Sequence, residues 1–283
     1  MPARVLFSTG SLYLLDTAQS FALAAEAGYD GIEIMCDDRY GTRDPHYLRE
    51  LSDQYGLPVL VAHTPFSQRL SGWENTNEEV HRVRQTLKLA ERLGCEAIVV
   101  HVPRKFGWGT LSIGGKTYFF PWFSPFRALK TWIERELLAV QRETPVKIAL
   151  ENMPLIKRGY ARVDPTWWNE IETWSKLHNY LTLDTTHWGT KGVDPLVAYR
   201  AAQGRVCHVH LSNYDGEEHR LPENGRLDLG ALLRALAADG YEGTISLEVS
   251  PEGLGYTDRS SLLENMKICL RFCREHLRQT NVT

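Results

Sequence analysis

The chain of 283 residues predicts a single-domain (β/α)8 TIM barrel spanning residues 1–283, with a β-hairpin inserted after the fourth strand. Three observations predict it. Short β-branched or apolar runs alternate with longer helical patterns from one end to the other. There are eight such units, and parallel strands joined by crossover helices close naturally at that number. No linker or second compositional zone interrupts the rhythm, and 43% hydrophobic residues suffice for one large core.

The elements follow in order. The first run is Val5-Leu6-Phe7-Ser8, after which Asp16 is a helix N-cap and an Ala-rich helix closes at Gly28. Gly31–Met35 is the second strand, followed by a helix over Pro45–Tyr55 that Gly56 ends. Pro58–His63 is the third, with an amphipathic helix over Asn77–Leu93 stopped by Gly94. Ala97–His101 is the fourth, then a helix over Pro125–Arg142 and the fifth strand, Val146–Glu151. Asp164 is expected to cap a Trp-rich helix before the sixth strand, Tyr180–Asp184. A short helix over Pro195–Ala202, the strand Arg205–Leu211, a helix over Leu229–Ala238, the strand Gly243–Val249 and a helix over Ser260–Leu277 complete the set.

The segment Arg104–Phe123 breaks the rhythm. Two alternating runs around Gly114-Gly115 predict the inserted hairpin. It emerges on the face where barrels do chemistry, so a lid over the site and an oligomer contact are equally open.

Composition excludes several classes. A net charge of −3 argues against a broad electrostatic grip on nucleic acid. No apolar run reaches the length of a membrane span, and no basic segment followed by an apolar run marks a signal peptide. Cys36, Cys95, Cys207, Cys269 and Cys273 show no CxxC spacing, which suits reduced thiols in a cytoplasmic protein. Phosphate-cradling Gly-rich motifs and the Gly-x-Ser-x-Gly elbow are absent.

The informative feature is where polar residues fall. Barrel active sites gather at the C-terminal ends of the strands. Here the third to sixth runs end in His63, His101, Glu151 and Asp184, the seventh carries His208 and His210, and the eighth reaches Glu248. Glu33 lies within the second. A carboxylate aimed into a barrel is costly unless paired or bound to a cation, and so many on one rim point to a divalent metal. Mixed carboxylates and imidazoles suit Mn²⁺, Zn²⁺, Co²⁺ or Fe²⁺ better than Ca²⁺, with Mg²⁺ a further candidate.

At these residues the chain resembles the xylose-isomerase-like barrel superfamily, which includes sugar-phosphate isomerases and epimerases and the endonuclease IV type of AP endonuclease. The resemblance rests on Glu151-Asn152, Asp184-Thr185-Thr186-His187, His208-Val209-His210-Leu211-Ser212 and Ser246-Leu247-Glu248, and covers nearly the whole chain. It implies a metal held by Glu151, Asp184, His210 and Glu248, with Glu151 and Glu248 as the catalytic acid–base pair. The implied reaction is proton transfer at a carbon beside the carbonyl of a small sugar-like substrate, through an enediolate. Return of the proton to the opposite face of the same carbon gives an epimer, and return to the neighbouring carbon gives an isomer. A dehydratase or lyase could use the same chemistry.

The rival reading comes from the remaining histidines. The endonuclease IV type adds ligands that match His63, His101, His187 and His219, with an acid two residues before the last, here Glu217. Such a set suits a multi-zinc phosphodiesterase, yet the basic, DNA-penetrating loops such an enzyme needs are not evident. Substrate contacts are expected from Glu33, from the rim aromatics Trp108 and Trp188, and from Arg220, with Trp73 a further rim aromatic. The loop holding Arg220 departs from the Pro-Gly-x-Gly turn common in the epimerases, which bears on substrate more than on metal. His46, His81, His178 and His276 fall on predicted helices, away from the rim. The expected partners are a sugar-like small molecule, no nucleic acid and no membrane, with homo-oligomerisation open.

Overall fold

The computed structural model describes residues 3–278, apart from 68, 69, 76, 114, 115, 123–126, 159, 160, 178 and 203. Twelve strands are described: β1 (Arg4–Ser8), β2 (Gly31–Met35), β3 (Val59–His63), β4 (Ala97–His101), β5 (Gly107–Ile113), β6 (Lys116–Trp122), β7 (Lys147–Glu151), β8 (Ile156–Arg158), β9 (Ala161–Val163), β10 (Tyr180–Asp184), β11 (Val206–Leu211) and β12 (Thr244–Leu247). Eight of them form one closed parallel barrel in the order β1-β12-β11-β10-β7-β4-β3-β2. The helices that return the chain are α1 (Thr17–Ala27), α2 (Pro45–Tyr55), α3 (Glu79–Leu93), α4 (Arg127–Arg135), α5 (Leu137–Glu143), α6 (Ile171–Trp174), α7 (Thr185–Thr190), α8 (Pro195–Ala202), α9 (Leu229–Ala238), α10 (Pro251–Leu254) and α11 (Arg259–Arg278).

Local chemistry sets the ends of these elements. Asp16 caps α1 by accepting from the Gln19 amide while Gln19 returns the bond, and Gly28 closes the helix at φ 92°. Gly31 opens β2 where a Cβ would stand 2.8 Å from the Pro58 carbonyl, so only glycine lets β2 and β3 meet there.

The pleat divides the strands into two faces. Residues such as Ile32, Ile34, Ile98, Ile148, Leu181, Val209 and Ile245 face outward into the buried layer between barrel and helices. Leu6, Val61, Ala97, Val99 and Ala149 belong to a separate buried cluster. Two residues beyond Val61, Val99 and Ala149, on the same face, come His63, His101 and Glu151. The interior therefore changes from apolar to polar toward the C-terminal ends of the strands.

Some expectations need correction. The helix foreseen over Pro125–Arg142 is two helices, α4 and α5, because the chain turns at Glu136. Asp164 caps no helix: its carboxylate bonds Thr166, Asn169 and Lys191, and only α6 follows. The β8–β9 hairpin was not foreseen. The inserted hairpin is present, with β5 and β6 antiparallel from Gly107↔Trp122 to Ile113↔Lys116; its Gly114-Gly115 turn lies outside the described residues, as does His178.

Candidate metal centre

Four donors converge at the mouth of the barrel. Glu151 ends β7, Asp184 ends β10, His210 lies near the end of β11, and Glu248 is the first residue past β12. His210 Nδ1 stands 2.9 Å from Glu151 Oε1, 2.9 Å from Glu248 Oε2 and 3.7 Å from Asp184 Oδ2. One ligand atom from each of the four residues lies within 4.8 Å of the others. Backbone bonds hold the carboxylates in place. Asp184 caps α7 by accepting from the His187 amide at 2.8 Å, and Asn152 bridges the β7 and β10 ends through the Asp184 amide and carbonyl.

Two further donor groups abut the first at the rim, and a third, Glu33 with His208 and His210, shares its imidazole. His63 Nε2 and His101 Nε2 reach Oε2 of Glu151 at 3.3 and 3.2 Å, so Glu151 serves both groups. Phe66 lies against this pair, its ring 5.5 Å from that of His63 and 4.5 Å from that of His101. On the other side, His187, Glu218 and His219 form a group of their own. The loop after β11 folds back to make it. His219 adopts φ 58°, a left-handed conformation uncommon outside glycine but open to histidine, and its Nδ1 lies 2.9 Å from the Glu248 carbonyl.

The electrostatics follow from burial. Burial opposes ionisation of Glu151, but the imidazoles of His210 and His101 overcome it and hold the carboxyl well below the usual range. Glu248 is drawn to about 2, since His210 and then His219 outweigh its desolvation. His210 is raised well above the usual imidazole value, because Glu33, Glu248 and Glu151 outweigh burial. His63 and His101 touch the same oxygen yet diverge. Burial is overcome at His63 by Glu151 and Glu33, whereas at His101 burial prevails.

The residues fit a divalent cation. Asp184 Oδ2 is buried with no hydrogen-bond partner among the described residues, although an acceptor in that position is costly. Glu151, Asp184 and His210 are each no more than 1% exposed, so two buried carboxylates and the partly exposed Glu248 press on one imidazole with little solvent to screen them. A cation with oxygen and imidazole ligands removes both costs at once.

Other expected residues fall elsewhere. Glu217 is not at the site: its side chain is 75% exposed and pairs with Arg220, while Glu218 turns inward, 3.9 Å from His187 Nε2. Arg220 is engaged by Glu217 and by Asp215 at 3.2 Å. Trp188 is no rim aromatic: it lies on α7, fully buried edge-to-face against Trp174 at 5.6 Å. Glu33 is buried beneath His210, with no exposed surface. Trp73 packs under the Arg43 guanidinium, 5.5 Å from its ring, as a loop anchor. The Trp108 side chain lies outside the described residues. Glu218 was missed, and adjacency to His219 was the only signal for it.

Among the described residues, no helix is long and apolar enough to cross a membrane. An uncharacterized protein of Mycobacterium leprae is 28% identical over 289 residues, covering 97% of this chain and 98% of its own. The fold is shared with a solved L-ribulose 3-epimerase at TM-score 0.68 and 18% identity, covering 97% of this chain and 94% of that one. It is shared as well with an AP endonuclease, family 2, from Brucella melitensis at TM-score 0.60 and 19% identity, covering 90% and 98%. The family model described as the xylose isomerase-like TIM barrel matches residues 21–272, and the chain belongs to that family.

Proposed function

We propose that the protein is a divalent-metal-dependent isomerase or epimerase of a sugar, a sugar phosphate or a related polyhydroxylated ketone. One observation carries the reading. Glu151 on β7 and Glu248 after β12 both reach His210 Nδ1 at 2.9 Å, although β10 and β11 separate their strands in the sheet. The two carboxylates thus converge on one point from separate sectors of the mouth, as an acid–base pair flanking a substrate carbon must. The fold shared with a solved sugar 3-epimerase supports the same class.

A bound divalent cation would supply Lewis-acid polarisation of the substrate's carbonyl and neighbouring hydroxyl. The chain's own residues do the rest. One glutamate removes the proton beside the carbonyl and the other returns it. Both are held ionised in the absence of substrate, so each can act as the base. Asp184 holds α7 by its N-terminus and keeps His187 beside the reaction zone. Incubation in D₂O with candidate ketoses tests the reading: deuterium enters beside the carbonyl, and Glu151→Gln or Glu248→Gln stops it. A wild-type enzyme that turns over a phosphodiester and no ketose sinks the proposal.

A second reading has its own observation. Four donor groups adjoin one another among the described residues; two share Glu151 and two share His210, a pattern suited to several metals and to phosphodiester hydrolysis. Metal content of the purified chain separates the two. One tightly held ion supports the isomerase; three, lost stepwise with His63→Ala and His219→Ala, support the hydrolase.

A further inference from the structure

Glu33 was expected to touch substrate, but its position gives it other work. It projects from β2 into the barrel and is completely buried, as are His208 and His210. Its Oε1 lies 2.9 Å from His210 Nε2 and its Oε2 lies 3.1 Å from His208 Nε2. His208 Nδ1 in turn lies 2.7 Å from Thr244 Oγ1, on the neighbouring strand β12 in direct register with His208. The chain of contacts thus runs from Thr244 through His208 and Glu33 to His210.

When a cation takes the place of a proton on His210 Nδ1, proton bookkeeping on these four groups has one solution. The carboxylate of Glu33 has no proton to give, so it accepts from Nε2–H of both histidines. His208 then has a lone pair on Nδ1, and the Thr244 hydroxyl donates to it. His210 likewise has a lone pair on Nδ1, the atom that faces Glu151, Asp184 and Glu248. A lone pair facing three carboxylates is repulsive by itself and attractive toward a shared cation.

We propose that Glu33 and His208 are positioning residues that fix the proton of His210 on Nε2 and so keep Nδ1 open as the imidazole donor of the metal centre. The inference rests on the metal reading above. Neither residue meets substrate: Glu33 lies beneath His210 and His208 sits two residues deeper on β11, and neither has exposed surface. The second contact, from His208, anchors the Glu33 carboxylate and so fixes the acceptor that His210 Nε2 meets. Partners of this kind are worth about 10–100-fold in metal affinity.

The test uses the full chain, stripped of metal and titrated with Zn²⁺ against a chromophoric chelator, as wild type, Glu33→Gln and Thr244→Val. Circular dichroism confirms that each variant folds. Glu33→Gln is expected to weaken the tightest Zn²⁺ site by about 10–100-fold. Thr244→Val keeps the shape of the side chain and removes only the far end of the relay, so a smaller loss of several-fold is expected. ¹⁵N-histidine spectra of the Zn²⁺-loaded wild type should place the His210 proton on Nε2, and Thr244→Val should shift the His208 pattern. A merely structural role would leave the Zn²⁺ affinity unchanged and would not fix the His210 proton on Nε2. Zn²⁺ affinity of Glu33→Gln within about twofold of wild type overturns the proposal, as does an Nδ1 proton on loaded His210. Should Glu33→Gln not fold, the affinity and the His208 signal of Thr244→Val decide in the same way. Wild type that binds no Zn²⁺ overturns the metal reading and this inference together; wild type that binds it while both variants match it overturns this inference alone.

Discussion

His210 Nδ1 stands 2.9 Å from Glu151 Oε1 although β10 lies between their strands. Barrel closure makes that contact, and the same glutamate touches His63 and His101. Glu151→Gln should therefore do more damage than Glu248→Gln. Both should lower turnover by about 10²–10⁴-fold. Glu151→Gln should also change the ¹⁵N spectra of His63 and His101, whose contacts to its carboxylate it alters, whereas Glu248→Gln should leave them intact.

Removal of metal should destabilise the fold. Without a cation, the buried carboxylates of the mouth are left facing each other and His210. Thermal unfolding of the chelated chain should rise with added Mn²⁺ or Zn²⁺, by about 2.7 kcal/mol at a hundred times the dissociation constant. A midpoint indifferent to the ion would count against the site.

Glu217 and Glu218 should separate cleanly. Glu217→Gln removes an exposed partner of Arg220 and should change activity and metal content by less than about twofold. Glu218→Gln should reduce whatever the His187–His219 group binds. The reverse ranking would restore the register expected from sequence.

Trp188→Ala should act on stability. The residue is fully buried against Trp174, so truncation should cost about 3–5 kcal/mol in denaturant unfolding. Trp188→Phe, which keeps most of the packing, should cost markedly less.

Acid should loosen the loop before β10. Burial raises the Asp164 carboxyl, but bonds from Lys191 and Thr166 outweigh it and leave the group below its usual value. A carboxyl depressed in the folded state contributes stability above its unfolded value, near pH 4, and loses it as pH falls through the folded one. Asp164→Asn should flatten that part of the acid stability profile, read as the unfolding midpoint between about pH 5 and pH 2.

The ring of ligands was legible because barrel arithmetic needs only strand ends. Once eight runs alternate with helices, His63, His101, Glu151, Asp184, His210 and Glu248 must share a rim. What failed depended on loop register. After β11 a bridge between Asn213 and Arg220 and the positive φ of His219 decide which glutamate turns inward, and no periodicity encodes either. Trp188 was misplaced for a related reason. Asp184 is both a strand end and the N-cap of α7, so the helix starts at once and carries Trp188 into the core. The strands β8 and β9 are three residues each, too short to show a period, and β9 is mostly exposed.

Closure of the barrel also decides where another chain could add a strand. A closed sheet has no edge, so among the described residues open strand edges belong to the hairpins β5–β6 and β8–β9. Both interrupt connections that leave the C-terminal ends of β4 and β7, the strands that carry His101 and Glu151. A strand added to either hairpin would therefore extend a connection that leaves the barrel next to His101 or Glu151, and not the barrel wall itself.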